Sequence, residues 1–483
     1  MEYEKYLSEI DKKAGKLIEA SDTIWDCAEL AFSEYQSAEI LKNLLRGEGF
    51  EVMSQAYDIE TAFTGKYGNG RPYIGILGEF DALGALNQIA DLPEKRADRP
   101  GANGHGCGHN LLGTGSMAAA IAIKKYLEET KCSGTVIYYG CPGEEGGSGK
   151  AFMAREGAFS NLDFALSWHP AELNSVNKDS SLANIEVLYK FSGISAHAAG
   201  CPELGRSALD ALELMNVGTN FIREHMSSQA RIHYAITNPG GISPNVVQNH
   251  AEVLYLIRAP KAWQAQELFE RVNKIANGMA MATETKVEYQ IIKKCANLVP
   301  NTVIEKELFR SMKQVSLPEY SEDEIEYAKK FTASSESGKR TTFRKYAAGY
   351  MEEQNKTFMK ERIGSAMYNF VLPYEETHIA SCNTGSTDVG DVSFMCPTSQ
   401  IAGCTWAPDS GGHSWQIVAQ GKSSIAHKGL LYAGKVMAAT AIHMLENPEQ
   451  IKAARTEYEE RMKDETYLPI PPEIKPRPIS SLV

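Results

Sequence analysis

Apolar residues along this chain fall into distinct textures. In the first 50 residues they recur at helical spacing and predict two helices; the second opens near Ser37 and lines Ile40, Leu41, Leu44 and Leu45 along one face. A strand is predicted over 50–56. Three nearly continuous apolar runs follow at 72–81, 134–140 and 163–168, the mark of interior strands covered on both faces, as in a parallel sheet. Helical patterns over 111–129 and 149–159 separate these runs. The order β-α-β-α-β predicts an α/β fold with a mostly parallel sheet.

From about Asn184 the texture changes to alternation, with Ile185, Val187, Tyr189 and Phe191 interleaved with Glu186, Leu188 and Lys190, as in a half-exposed strand. The elements then read strand 184–193, helix 206–226, strands 231–238 and 251–259, helix 261–283 and strand 286–295. That β-α-β-β-α-β order predicts a ferredoxin-like α+β domain inserted at 184–296 between two parts of the first domain, 1–183 and 297–483. A charged, largely helical segment at about 317–375 reads as an insertion or lid. An apolar helix is predicted over 424–445. The tail from Leu468 carries five prolines and is expected to be extended and poorly ordered. No internal repeat is evident.

With 483 residues the chain exceeds what one core accommodates. Its net charge of -12, without a Lys/Arg cluster, argues against nucleic acid or an anionic membrane as partner. The first residues lack an apolar signal core and no later run has membrane-spanning length, so a cytoplasmic protein is expected. Nine cysteines without framework spacing fit a reducing compartment.

The candidate chemistry gathers where the interior strands end. The first runs into Glu79 and Asp81, the second into Glu144 and Glu145, and the third into His169. Residues 104–110 (Gly-His-Gly-Cys-Gly-His-Asn) place Cys107 and His109 one residue apart among glycines and just before an apolar helix, whose N-terminus favours a thiolate. A buried thiol beside a hydrogen-bonded core histidine is the plain alternative, as a solvated loop is for Glu144 and Glu145 and a surface histidine for His169. A structural zinc site closes four Cys/His ligands, and here one cysteine meets carboxylates instead. The mixture of thiolate, imidazole and carboxylate suits a two-metal catalytic centre with a bridging ligand and a water. Of two adjacent glutamates, one can bind metal while the other moves a proton. His197, Asn245 and Arg258 are candidates on the second domain, with a turn histidine, a turn asparagine and a surface arginine as their alternatives.

Taken together, residues 104–110, 143–147 (Gly-Glu-Glu-Gly-Gly), 168–170 (Trp-His-Pro), 193–198 (Gly-Ile-Ser-Ala-His-Ala), 240–247 followed by Arg258, and the glycine-flanked His413 resemble the M20 metallopeptidase family, in its amidohydrolase branch, and occur in the family's order. Asn110 stands where much of that branch has aspartate, and Gly84 where it has proline. The resemblance implies a metallohydrolase domain with a dimerisation (lid) domain inserted, and two divalent ions, Mn2+ or Zn2+, bridged by Cys107, with His109, Glu145, His169 and His413 as the other ligands. Glu144 becomes the general base and Asp81 orients a ligand. His197 reaches the active site of the partner subunit, and Asn245 and Arg258 hold a substrate carboxylate, for which a guanidinium fork is suited. The implied reaction cleaves the amide between an acyl or aroyl group and an amino acid, p-aminobenzoyl-glutamate first among candidates. A dipeptidase, or a non-catalytic subunit keeping the fold, are the alternatives. A homodimer, or a pairing with a related subunit, is implied.

Overall fold

Two sheets organise the chain, and the larger is built largely by the apolar runs. Its strands in the first part of the chain are β1 (Glu51–Ser54), β2 (Phe63–Asn69), β3 (Tyr73–Glu79), β4 (Gly134–Cys141), β5 (Phe164–Ala171) and β6 (Leu173–Asn177). The short β7 (Ser180–Ser181) leads into the smaller sheet, formed by β8 (Ala183–Ser192), β9 (Arg231–Asn238), β10 (His250–Ala259) and β11 (Lys286–Cys295). Later come β12 (Tyr368–Val371), β13 (Cys382–Asn383) and β14 (Thr398–Cys404). The computed structural model describes residues 3–335, 353–374 and 382–478.

The larger sheet has the order β1-β2-β4-β3-β5-β14-β6-β12, and its central strands β4, β3, β5 and β14 run parallel. All four therefore end on one edge. Buried on both faces, β3 and β5 have almost no exposed residue, which is why they read as unbroken apolar runs. Across the sheet lies helix His109–Thr130, buried nearly all round between β3 and helix Ser424–Glu446. A helix with no polar face belongs in an interior. Small residues permit the approach: a Cβ on Gly115 would lie 2.6 Å from the Trp168 ring, and one on Gly434 2.8 Å from Ala118 Cβ.

The smaller sheet is antiparallel in the order β11-β8-β10-β9, the arrangement of a ferredoxin-like unit, with helices Ala208–Ile222 and Ala262–Ala282 packed on it. Along β10 the buried residues are Ala251, Val253, Tyr255, Ile257 and Ala259, each second position, with the intervening ones half-buried. Period-two burial of this kind sets the register, since a slip of one residue would turn every apolar side chain outward.

Several expectations are corrected. The first 50 residues form three helices, Glu4–Lys12, Ala14–Cys27 and Tyr35–Gly47, because the chain breaks at Lys13. Strands β1 and β2 form an antiparallel edge, and the helix expected over 149–159 stops at Arg155. Within 317–375 helices span Glu322–Ala333 and Glu353–Lys360, but Tyr368–Val371 is a strand beside β6. Residues 336–352 and 375 lie outside the described ones. A further helix, Pro448–Arg461, precedes the tail. The tail is packed down as far as Ile474: Ile470 is 1% exposed and Arg155 donates to the carbonyls of Pro471 and Ile474 at 3.0 and 2.8 Å. Its prolines remove donors, and side chains elsewhere supply the bonds. Among the described residues no helix is long and apolar enough to cross a membrane.

Candidate metal centre

The carboxyl edge of the parallel strands carries the site. Beyond β3 lies Asp81, and Glu79 is the strand's last residue. After β4 the chain turns through Gly143, whose φ of 69° suits glycine, into the short helix Glu144–Gly147. There Gly147 presses on Phe32, where a Cβ would stand 2.1 Å from the ring. His169 lies near the end of β5, and Cys107 and His109 flank Gly108 at the start of the long helix. His413 comes from the loop after β14, with φ 53° and its N–H donating to Gly106 O at 3.2 Å.

These groups converge. Cys107 Sγ is 3.3 Å from His169 Nε2, and His413 Nε2 is 3.2 Å from Glu145 Oε1. Ligand atoms of Cys107, His109 and His169 lie within 4.8 Å of one another, and so do those of Cys107, Glu145 and His413, so Cys107 is common to both clusters. A third cluster on the same criterion joins Glu79, His109 and Glu144. Asp81 Oδ1 accepts from His109 Nδ1 at 2.9 Å, and Asp81 Oδ2 accepts from the Glu145 N–H at 2.9 Å. A carboxylate so placed fixes the tautomer and tilt of the imidazole.

The electrostatics are those of a site built for positive charge. His109 Nε2 is buried without a hydrogen-bond partner among the described residues, and Glu145 Oε1, equally buried, faces His413 Nε2. Such orphans are rare in interiors because each costs about 1–3 kcal/mol. Burial pushes the Cys107 thiol up, and Glu145 adds to it, so a thiolate here calls for positive charge beside it. Glu144 is raised well above the usual range by burial and by the neighbouring Glu79 and Glu145. Burial works against ionised Glu145 too, but its bond with His413 and the charge of His109 bring it down to about 2. Thiolate, imidazole and carboxylate donors with unpartnered lone pairs fit a divalent cation pair.

Residues with no assigned role complete the frame. Glu34, 0% exposed, accepts from Gly143 N at 2.8 Å and from Thr61 Oγ1 at 2.9 Å, and so pins the turn before Glu144. Lys150 lies 2.6 Å from both Glu79 and Asp388. Only Glu79 carried a signal in the sequence, as a carboxylate closing an interior strand.

The three candidates on the smaller sheet stand apart. Among the described residues no hydrogen bond or ion pair joins His197, Asn245 or Arg258 to the converging side chains. His197 is exposed, its Nδ1 accepting from Ala199 and Gly200 N–H at 3.2 and 3.0 Å, and its loop meets that of Asn245 through Ala198 N and Asn245 O at 3.0 Å. Arg258 Nη1 points at Thr384 O, 3.5 Å away. A direct bond from the smaller sheet to the centre comes from Lys293, whose Nζ donates to Glu145 O at 2.7 Å.

Comparison with known proteins agrees with this geometry. The family described as "Peptidase family M20/M25/M40" matches residues 76–390. The chain belongs to this family. It is 44% identical, over 97% of its length and 98% of the relative's, to one of the subunits of p-aminobenzoyl-glutamate hydrolase of Escherichia coli. Against the Xaa-Arg dipeptidase of Mus musculus it is 26% identical over 95% of this chain and 92% of the relative. The solved aminobenzoyl-glutamate utilization protein from Klebsiella pneumoniae shares the fold with a TM-score of 0.57 at 16% identity, covering 89% of this chain and 98% of that one. The chain is thus an M20 hydrolase acting on amide bonds.

Proposed function

We propose that this chain hydrolyses p-aminobenzoyl-glutamate, or a close N-aroyl amino acid, to the free acid and the amino acid, using two divalent cations held by Cys107, His109, Glu145, His169 and His413. The observation that carries this reading is the convergence of those five side chains, with His109 Nε2 buried and without a hydrogen-bond partner among the described residues. The identity to the Escherichia coli enzyme over nearly the full length supports the substrate.

Bound there, the cations supply Lewis acidity toward the scissile carbonyl and the attacking water. The chain's own residues do the rest. Glu144, adjacent to the ligand Glu145 but not needed as one, takes a proton from water and returns it to the leaving amine. Asp81 holds His109 by Nδ1 and the Glu145 backbone by its N–H, so one carboxylate sets two ligands. Arg258 and Asn245 hold the substrate carboxylate when the smaller sheet closes. His197, exposed and away from its own centre, serves the centre of a partner subunit in a homodimer or in a pairing with a related subunit; the Escherichia coli relative is itself one subunit of a hydrolase, which favours the latter. Soft thiolate and imidazole donors favour zinc, and the carboxylates leave manganese open. A cytoplasmic setting agrees with nine unpaired cysteines.

The test is a product-resolved assay of the purified chain with Zn2+ and with Mn2+. Release of p-aminobenzoate from p-aminobenzoyl-glutamate, faster than cleavage of dipeptides ending in arginine, is the expected result. The similarity to the Xaa-Arg dipeptidase favours a dipeptidase as the second reading, and the opposite ranking would establish it.

A further inference from the structure

Glu79 has no part in the reaction just described, yet its carboxyl group is buried inside the centre, 3% exposed. Its two oxygens face opposite ways. Oε1 lies 2.6 Å from Lys150 Nζ, and that ammonium, 0% exposed, lies 2.6 Å from Asp388 Oδ1, while Lys150 N donates to Asp388 Oδ2 at 2.8 Å. A lysine with no solvent needs such partners, since losing one leaves an uncompensated charge. The arrangement fixes Glu79 Oε1 and, through it, the aim of Oε2.

Oε2 is 3.3 Å from His109 Nε2. His109 presents Nδ1 to Asp81 Oδ1, a carboxylate that only accepts, so Nδ1 carries a proton and Nε2 is the nitrogen that can turn a lone pair to a cation. Nε2 has no hydrogen-bond partner among the described residues despite lying so close to Oε2. A ring nitrogen and a carboxylate oxygen aimed together in a dry interior need a proton or a cation between them. Glu144 sends an oxygen to the same cluster, all ligand atoms being within 4.8 Å.

We propose that Glu79 is a further ligand of the cation that His109 binds, with Lys150 and Asp388 as the buried frame that holds its other oxygen in place. This rests on the centre being a metal site, as argued above. It enlarges the ligand set by a carboxylate and makes the buried lysine a positioning residue, because Lys150 occupies one oxygen so that the second stays directed at the ion. In this arrangement Glu144 is not required as a ligand and remains available to carry a proton.

The experiment is metal titration of the chelator-stripped full chain, by calorimetry with Zn2+ and by ion content after dialysis, for the wild type and E79Q. The amide introduced by E79Q would keep an oxygen for Lys150 and turn a nitrogen toward His109. Two ions are expected in the wild type; in E79Q one is expected to bind as before and the other about 10- to 100-fold more weakly, the range seen when a metal's supporting groups are removed. E79D retains the charge beside Lys150 while withdrawing the reach by one methylene, and it is expected to fold and to show the same selective weakening if E79Q fails to fold. Wild-type affinity for both ions in the folded variants overturns the proposal while leaving the metal centre standing. A wild type that takes up no divalent cation overturns both.

Discussion

The smaller sheet and the carboxyl edge of the larger one bury polar groups in opposite ways. On the smaller sheet two tyrosines find partners on the helices packed over it: Tyr255 Oη donates to Asn216 Oδ1 at 2.6 Å, and Tyr189 Oη to Asn273 Oδ1 at 2.5 Å, while Asn184 Oδ1 in β8 is buried without a partner among the described residues. Around them Val187, Val253 and Ile257 are fully buried, each contributing roughly 1.5–3 kcal/mol by leaving water. At the carboxyl edge Glu79, Asp81, His109, Lys150 and Asp388 are all at most 3% exposed, and unpartnered lone pairs remain. One region is held chiefly by apolar packing. The other is held in a costly arrangement by the apolar strands and helices behind it, and reaches its balance of charge only when cations join it.

The sharpest way to break that contrast is to remove a group that matters to the reaction but not to the ions. Glu144→Gln should lower kcat by about 10²- to 10⁴-fold, the range for a positioned proton carrier. Metal content measured by mass spectrometry should stay at the wild-type value. Turnover that survives the substitution would sink Glu144 as the base, and loss of an ion would make it a ligand instead.

Next in size is removal of the cations themselves. At a free concentration a hundredfold above Kd a bound ion stabilises a fold by about 2.7 kcal/mol. Stripping the ions should lower Tm and loosen amides around residues 79–81, 107–109 and 144–147 in hydrogen exchange. The amides of β8 and β10 should keep their protection. Equal loosening of both regions would show that the two are not separable as argued.

The same contrast explains what could be read along the chain. Alternation in β8 was legible because Glu186 and Lys190 on its second face are half-buried, although Asn184 and Leu188 on that face are buried, and the runs of β3, β4 and β5 because both their faces are buried almost throughout. Strand β12 follows a long charged segment and pairs only locally with β6, so its four residues carry no periodic signal. Helix Pro448–Arg461 buries only Ala454, which leaves almost no apolar stripe to find. Side chains with metal-binding chemistry announced themselves by type and by glycine-rich settings. The Glu79–Lys150–Asp388 frame did not, because residues 238 positions apart form one of its bonds and a lysine inside a helical stretch ordinarily means solvent.

A smaller effect tests the link between the regions. Lys293 follows an irregularity in β11 and donates to Glu145 O, so the smaller sheet touches the turn that carries base and ligand. Lys293→Met removes a charged donor, worth about 1.5 kcal/mol or roughly tenfold. The loss should fall on kcat/KM, with Tm and metal content little changed. An unaltered kcat/KM would mean that the contact transmits nothing.

The smallest effect concerns a buried carboxyl far from the centre, and it separates charge burial with a purpose in catalysis from charge burial without one. Glu305, 1% exposed in helix Thr302–Gln314, accepts from Tyr374 Oη at 2.8 Å, and burial lifts it to about 7. In the unfolded chain the same group titrates near 4.5. Because the folded value is the higher one, the folded state holds this proton more tightly, and its contribution to stability is greatest below the unfolded value. That contribution falls as pH rises from about 4.5 to about 7 and is constant above. Glu305→Gln supplies a permanently neutral group of the same shape that can still accept from Tyr374. Its stability in urea should therefore match the wild type near pH 4.5 and exceed it by on the order of 1 kcal/mol at about pH 8, after discounting for relaxation around the ionised group. Activity should not change at either pH. Parallel stability profiles for the two proteins would show that Glu305 ionises in the folded state as readily as in the unfolded one.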